Sequence, residues 1–244
     1  MGRHPKWIMG CAALLAALLL QPGAWAGGIS RAMGLPAEAA FAAQPDQTLT
    51  PAASDVTTRD LFEDAVVITE AGDYVITQSK SNPVKNTITI ASGVGTAEQP
   101  CRITLRDVAI DVASQGQTPA LLVGSGAVVV VTLEGSNTLL SGPNCAGLQA
   151  EGSWTQGADG SVAAARTPPA TVTLTGPGSL LAQATSNGAG IGGGKSKAAG
   201  QIAIAGGHIE AVGVQGAGIG AGGNPACGGG RITVTGGDVT ARAS

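Results

Sequence analysis

The chain has 244 residues, of which 39 are glycine and only 2% are aromatic, and its formal net charge at pH 7 is −3. A slightly acidic chain without a basic patch lacks the surface with which proteins contact phosphates, so we predict no nucleic-acid partner. The scarcity of aromatic residues predicts a narrow interior that aliphatic side chains can fill.

The N-terminus has the three-part plan of a secretory signal. Arg3 and Lys6 form a short basic start, an apolar run covers residues 8–20, and small residues follow up to Ala26. This pattern predicts a signal peptide over residues 1–26, and therefore a secreted or cell-surface protein. The alternative is an uncleaved N-terminal anchor. No later run is apolar and long enough to cross a bilayer, so we predict no membrane span after cleavage.

The next segment, residues 27–58, is rich in alanine, proline, threonine and serine without a sustained period, which predicts a flexible linker. From residue 59 onward, short runs of β-branched residues alternate with glycine, asparagine and serine. These runs have the length and composition of strands bounded by turns. The predicted strand cores in this half are residues 66–68, 74–76, 87–90, 103–105, 108–112, 121–123 and 128–133.

The second half of the chain repeats. Strand-like blocks centred on Val172, Ile202 and Ile232 follow one another at a spacing of 30 residues, and each continues into a second short strand. Between the blocks, the glycine-rich segments 188–194 and 216–222 lie 28 residues apart. A fixed period of this size indicates stacked units that share a core. The glycines are predicted to let neighbouring units approach closely.

A longer copy of the unit precedes these blocks. Residues 132–140 match residues 173–181 at an offset of 41, and residues 144–148 match residues 187–191 at an offset of 43. Because both offsets exceed the 30-residue spacing of the later blocks, the sequence predicts that this unit contains an inserted loop at residues 151–169.

Short strands without helices predict an all-β fold. We expect a single-stranded right-handed parallel β-helix over residues 59–244, with a β-sandwich as the alternative. Because side chains of a strand alternate between its faces, Ile202 and Ile204 and their repeats Ile232 and Val234 are predicted to face inward. A β-sandwich would show longer strands and more large core residues.

The order of several phrases resembles that of bacterial extracellular carbohydrate-binding β-helix proteins, whose shape is that of pectate lyases. The phrases that carry the resemblance are residues 71–76, 103–110, 120–123, 130–139 and 173–180. The segment 188–194 is similar to repeats of large bacterial surface proteins. The resemblance implies a right-handed parallel β-helix that binds acidic or plant cell-wall polysaccharides, with calcium as a cofactor in some members. No catalytic residue carries over.

Three residues are candidates for a binding site. Asp107 and Asp111 lie near two arginines, a combination that suits a small cation or a sugar; the alternative is a solvated strand face. Trp154 lies in the inserted loop, where its ring would stack on a sugar; the alternative is a hydrophobic pin for that loop. We assign no catalytic residue, because one histidine remains after signal cleavage and no Ser-His-Asp set can be built from it.

Three cysteines remain after cleavage, namely Cys101, Cys145 and Cys227. Their spacing fits no metal-binding pattern, and an odd number leaves at least one without an intramolecular partner. The pairing of the others stays open. The interpretation we favour is that they are small buried residues inside the stack.

These patterns favour a secreted, non-catalytic module that binds extracellular polysaccharide or serves as a surface adhesin segment. One alternative is a polysaccharide lyase or hydrolase, and another is a structural stalk without a ligand. A binding module should expose acidic or aromatic rows across successive units, whereas a stalk should expose threonine, glycine and alanine there. Because an open end of a β stack invites pairing, we also predict either end-to-end self-association or capping by the chain's own first loops.

Overall fold

The computed structural model describes residues 55–152, 155–156, 162–163, 167–223, 228 and 230–244. Within these ranges the protein consists of short strands and contains no helix. The strands in chain order are β1 (Thr57–Asp60), β2 (Val66–Ile68), β3 (Asp73–Thr77), β4 (Ile88–Ile90), β5 (Cys101–Arg106), β6 (Ala109–Asp111), β7 (Leu121–Val123), β8 (Val128–Glu134), β9 (Ser136–Leu140), β10 (Leu148–Ala150), β11 (Thr155–Gln156), β12 (Val162–Ala163), β13 (Thr171–Thr175), β14 (Ser179–Gln183), β15 (Ile191–Gly192), β16 (Gln201–Ile204), β17 (His208–Gly213), β18 (Ile219–Gly220), β19 (Arg231–Val234) and β20 (Asp238–Ala243).

Three parallel sheets contain all of these strands except β11 and β12, which pair with each other in antiparallel fashion. The first sheet has the order β1-β3-β5-β8-β13-β16-β19, the second β2-β4-β7-β10-β15-β18, and the third β6-β9-β14-β17-β20. From β5 onward the chain visits the first, third and second sheets in turn and then returns to the first. We call each such circuit a coil.

The sheet topology confirms the predicted all-β class and its parallel pairing. A β-sandwich, the alternative, is built from antiparallel sheets, whereas all three large sheets here are parallel. Stacked parallel strands in three sheets are the arrangement expected of a parallel β-helix.

Aliphatic columns fill the interior. On the first sheet Ile103, Val131, Leu174 and Ile204 occupy the same position in four successive coils, and each is at most 1% exposed. Full burial of such a side chain contributes about 1.5–3 kcal/mol. The columns therefore stabilise the stack although the sequence is poor in aromatic residues.

The 30-residue spacing predicted from the sequence is the register of the first sheet. Val172 pairs with Ile202, and Ile202 pairs with Ile232. The 28-residue spacing of the glycine-rich segments is confirmed on the second sheet, where Ile191 pairs with Ile219.

The predicted offset of 41 between residues 132–140 and 173–181 is wrong. Thr132 pairs with Thr175, an offset of 43, and strands β9 and β14 pair with the same offset. A shift of two residues leaves every side chain on its original face, so alternation of polar and apolar residues does not distinguish the two alignments.

Glycines in the repeated segments bring neighbouring coils close together, as predicted. A Cβ on Gly188 would overlap the carbonyl oxygen of Cys145 in the coil before it. A Cβ on Gly216, one coil later, would lie 2.5 Å from the carbonyl oxygen of Gly188. Any side chain at these positions would push the coils apart.

Within the predicted inserted loop, residues 151–169, the described strands β11 and β12 pair in antiparallel fashion. Trp154 lies outside the described residues, as do the predicted signal peptide and residues 27–54 of the predicted linker. In the part of the chain that is described, no helix is long and apolar enough to span a membrane.

Cys101 and Cys145 are both free and buried, in agreement with their interpretation as small interior residues. Burial raises the pKa of both thiols, which keeps them protonated and weakly reactive. Cys227 lies outside the described residues.

Candidate functional site

Asp107 and Asp111, the two acidic residues predicted to bind a ligand, stabilise turns of the backbone by hydrogen bonds. Asp107 has a positive φ of 53°, and its Oδ1 accepts a hydrogen bond from the Ser136 amide of the next coil at 2.9 Å. Asp111 Oδ1 accepts one from the Ala113 amide at 3.0 Å. Aspartate commonly stabilises turns in this way. Both residues thus have a structural role, and ligand binding by them stays a prediction.

A calcium site needs six to eight oxygen ligands, usually including several carboxylates. Among the described residues, no group of three or more histidine, cysteine, aspartate or glutamate side chains is placed to hold a metal ion. Asp107 and Asp111 each use one carboxylate oxygen on a backbone amide. This pair therefore does not fit the calcium site that the family resemblance implies.

A polar groove of about 420 Å³ lies on the outer side of the second sheet. Its residues come from the loop before β7 and β7 itself, from β10 and its flanking residues, and from the loop after β15, so it crosses three successive coils. We call it the lysine groove. It is lined by Gln117, Pro119, Leu122, Asn144, Cys145, Gln149, Glu151, Gly194, Lys195, Ser196 and Lys197.

One outward row of the second sheet forms the floor of the lysine groove. Leu122 pairs with Gln149, and Gln149 pairs with Gly192. The row of side chains ends at Gln149 because Gly192, with φ of 134°, has no room for a Cβ beside the carbonyl oxygen of Gly220. Gln149 is 5% exposed, and its Oε1 accepts a hydrogen bond from the Ala146 amide at 3.3 Å. The floor is therefore rigid and partly apolar.

Two lysines on the loop after β15 form one wall. The Lys195 amide donates a hydrogen bond to the carbonyl oxygen of Asn144 at 2.8 Å, which fixes this loop on the preceding coil. Lys197 Nζ lies 3.1 Å from Glu151 Oε1. The exposed Lys195 side chain forms no ion pair with any described residue. Lys195 is thus available to an anionic ligand.

The side-chain amides of Asn144 and Gln117 add hydrogen-bonding groups. Asn144 has φ of 64°, and its Oδ1 accepts a hydrogen bond from Asn187 Nδ2 of the next coil at 3.1 Å. Gln117 is exposed on a loop whose Thr118 carbonyl oxygen accepts a bond from the Gly142 amide at 2.8 Å. Since a side-chain amide both donates and accepts, these groups suit hydroxyl ligands.

The electrostatics of the lysine groove favour an anion. Among the described residues that line it, Lys195 and Lys197 outnumber Glu151, the one acidic residue, which leaves these residues with a net charge of +1. Burial raises the pKa of the Cys145 thiol, and the opposing effect of the Lys197 charge is smaller. Cys145 therefore contributes a protonated, weakly reactive thiol to the wall of the groove.

The outer face of the first sheet differs from this groove. Arg106 Nε and Glu134 Oε2 form an exposed ion pair at 2.7 Å between neighbouring coils. Further along the stack, Thr173, Ala203 and Thr233 lie side by side in register. In the described strands of this sheet, no outward position holds an aromatic residue.

The sequence does not predict a binding role for the residues of the lysine groove. Gln117, Gln149 and Lys195 are far apart in the chain, and only stacking of the coils brings them together. One feature of the sequence could have pointed to this groove. Segment 188–194 is followed by Lys-Ser-Lys, whereas its repeat 216–222 is followed by Gly-Asn, and such a departure marks a loop specific to one coil.

No protein-family model matches this chain, and neither a curated protein nor a solved structure is similar to it. The resemblance to extracellular carbohydrate-binding β-helix proteins therefore stays a prediction.

Proposed function

We propose that this protein is a secreted, non-catalytic module that binds extracellular polysaccharide, and that the lysine groove is its binding site. The observation that carries the proposal is that the groove crosses three successive coils. Parallel strands lie about 4.8 Å apart, so its residues meet a ligand over about 10 Å along the stack. A polymeric ligand can contact groove residues along this whole length, whereas a compact ligand would contact only part of it.

The chemistry of the groove residues supports a sugar polymer. The amides of Gln117 and Asn144 suit sugar hydroxyls, and Leu122 and Pro119 offer an apolar surface for a ring face. Lys195 is free to form a charge-assisted hydrogen bond with a carboxylate. The proposal therefore favours an acidic polysaccharide, such as a polyuronate, over a neutral one.

The proposal includes a right-handed parallel β-helix as the fold and export directed by residues 1–26. Connections between parallel strands of one sheet are right-handed in nearly all proteins, which supports this hand for the coils. The basic, apolar and small-residue segments at the N-terminus support export.

The charged groups of the described residues favour binding over catalysis. Hydrolysis of glycosidic bonds commonly needs two carboxylates that flank the bond. Of the described residues that line the groove, Glu151 is the one with a carboxylate, and it pairs with Lys197. His208 pairs with Asp238 at 3.1 Å on the third sheet, and neither residue lines the groove.

Affinity electrophoresis tests the proposal. The purified protein is run through gels that contain polygalacturonate, a neutral β-glucan or no polysaccharide, with and without calcium. We expect retardation by polygalacturonate, and a rise of about tenfold or more in Kd for Lys195→Ala, because a hydrogen bond to a charged group contributes about 1.5–3 kcal/mol.

Lys80→Ala is the matched control. It removes the same charge from an exposed lysine whose Nζ lies 4.1 Å from the Phe62 ring centre, and it should bind like the unmodified protein. Migration of the unmodified protein at the same rate in every gel would refute polysaccharide binding. An equal loss of binding in both variants would show that net charge, and not the lysine groove, is responsible.

A structural stalk is the second candidate function. Thr173, Ala203 and Thr233 form an outward row of small residues on the first sheet, as a surface without a ligand would. This candidate predicts no retardation in any of the gels.

A further inference from the structure

The floor of the lysine groove continues along the outer face of the second sheet. Leu122 pairs with Thr89, and Thr89 pairs with Val67, so their outward side chains extend the row that begins at Gly192 and Gln149. We call Val67, Thr89 and Leu122 the neutral strip. Four strand steps separate Gly192 from Val67, which is about 19 Å at about 4.8 Å per step. The groove and the strip together are therefore about twice as long as the groove alone.

The neutral strip is accessible and one side chain wide. In each of β2, β4 and β7 the middle residue faces outward, and the residues on either side of it are buried. Val67 is 67% exposed, and Thr89 and Leu122 are partly exposed. A surface that is long and one side chain wide suits a single extended polymer chain whose axis runs along the stack.

Positive charge is confined to one end of this surface. Lys195 and Lys197 lie on the loop after β15, beside Gly192. Lys197 forms an ion pair with Glu151, which leaves Lys195 as the groove lysine that is available to a ligand. The side chains of the neutral strip carry no charge. A bound polymer therefore meets a cation at the β15 end and neutral groups from β7 to β2.

The charged residues that flank the strip do not extend its positive end. Asp64 and Glu70 lie three residues before and three residues after Val67, and both are exposed. Lys85 follows the buried Val84, which bridges to β6, so alternation places the Lys85 side chain on the outer face of the third sheet. Near β2, a second ligand carboxylate would therefore meet negative charge from the described residues.

We propose that the ligand of this site is a heteropolysaccharide in which neutral sugars separate the acidic ones, bound with its chain along the stack. The inference rests on the proposed function of the lysine groove. The carboxylate of one acidic sugar binds Lys195, and the neutral sugars next to it in the chain lie over Gln149 and the neutral strip.

The side chains of the strip match neutral sugars. Leu122 and Val67 offer apolar contacts to ring faces, and they lie two strand steps apart, or about 10 Å. Thr89 lies between them, and its hydroxyl both donates and accepts hydrogen bonds, as sugar hydroxyls do. Mixed apolar and hydroxyl contacts of this kind recognise an uncharged sugar without a fixed charge on the protein.

A uniformly acidic chain fits the same surface less well. It would place further carboxylates over Leu122 and Val67, where they lose water and gain no cationic partner from the described residues. Because the strip is partly open to solvent, this loss of hydration weakens binding and does not abolish it. Polygalacturonate is therefore expected to bind through one carboxylate at Lys195, but less tightly than a chain with separated acidic sugars.

Titration calorimetry with oligosaccharides of equal length tests the inference. Gellan oligosaccharides, in which neutral sugars separate the acidic ones, should bind at least tenfold more tightly than oligogalacturonate and than a cello-oligosaccharide without a carboxylate. Lys195→Ala should weaken binding of both acidic ligands. Equal dissociation constants for gellan and oligogalacturonate would overturn this inference and leave the proposed function intact. Absence of binding to every oligosaccharide would overturn both.

A gain of affinity gives a second test. Thr89→Lys places a cation on the strip and should lower the dissociation constant for oligogalacturonate about fivefold, the effect of a partly exposed ion pair. Val67→Lys, at the most exposed position of the strip, should act in the same direction. Thr104→Lys is the matched control, because Thr104 faces outward and is partly exposed on the first sheet. No gain in either strip variant, or an equal gain in the control, would overturn the assignment of the neutral strip.

Discussion

Leu174 and Val234 occupy the same column of the first sheet, two coils apart, yet Leu174 is fully buried and Val234 is 53% exposed. The strands around them are alike in length and in alternation of residues. Burial in this fold is therefore supplied by the adjacent coils and not by a residue's own coil. Stability then sums over contacts between neighbours, as in other repeat proteins.

The largest expected effect comes from substitutions within this column. Leu174→Ala should lower the free energy of unfolding by about 2–5 kcal/mol, because it leaves a cavity between two packed coils. Val234→Ala should lower it by less than about 1 kcal/mol, because half of that side chain is already in water. Urea unfolding at low protein concentration measures both losses of stability. Equal losses would contradict the view that adjacent coils supply the burial of each position.

A glycine between two coils should be less tolerant than one in a loop. Gly192→Ala forces a side chain against the Gly220 carbonyl at a φ of 134°, and we expect a loss of about 1–3 kcal/mol. Gly116→Ala has open space around its Cβ and should change stability by less than about 1 kcal/mol. Thermal unfolding of the two variants gives the comparison, and a neutral Gly192→Ala would show that the coils can separate locally.

The smallest effect is expected on the outer surface. Arg106 and Glu134 have side chains that are 50% and 39% exposed, so a double-mutant cycle with alanine should give a coupling of about 0.2–1 kcal/mol. The coupling should fall as salt is added, because salt screens exposed charges. A larger coupling that is insensitive to salt would show that outer contacts between coils rival the interior columns.

The repeat spacing could be read from the sequence because the interior demands the same residue types in every coil. Val172 pairs with Ile202, and Ile202 pairs with Ile232, at the 30-residue spacing that the repeated strand patterns predict. The alignment of residues 132–140 failed by two residues because a two-residue shift preserves the inward and outward faces. Periodicity thus identifies stacking, but contacts between coils decide the register.

The lysine groove could not be assembled from the sequence in the same way. Gln117, Gln149 and Lys195 belong to three coils and meet only because their strands stack on the second sheet. The sequence predicts Asp107 and Asp111 as ligand-binding residues. In the structure, their carboxylates accept hydrogen bonds from backbone amides in turns. An isolated polar residue in a strand-rich sequence gives no indication of whether it serves a turn or a ligand.

Residue-resolved hydrogen exchange in the presence and absence of polygalacturonate tests the central claim most directly. If the lysine groove binds polysaccharide, the ligand should slow exchange in residues 194–197 and 144–149 and leave the outer strands of the first sheet unchanged. Slower exchange on the first sheet alone, or no change anywhere at saturating polysaccharide, would contradict the assignment of this groove as the binding site.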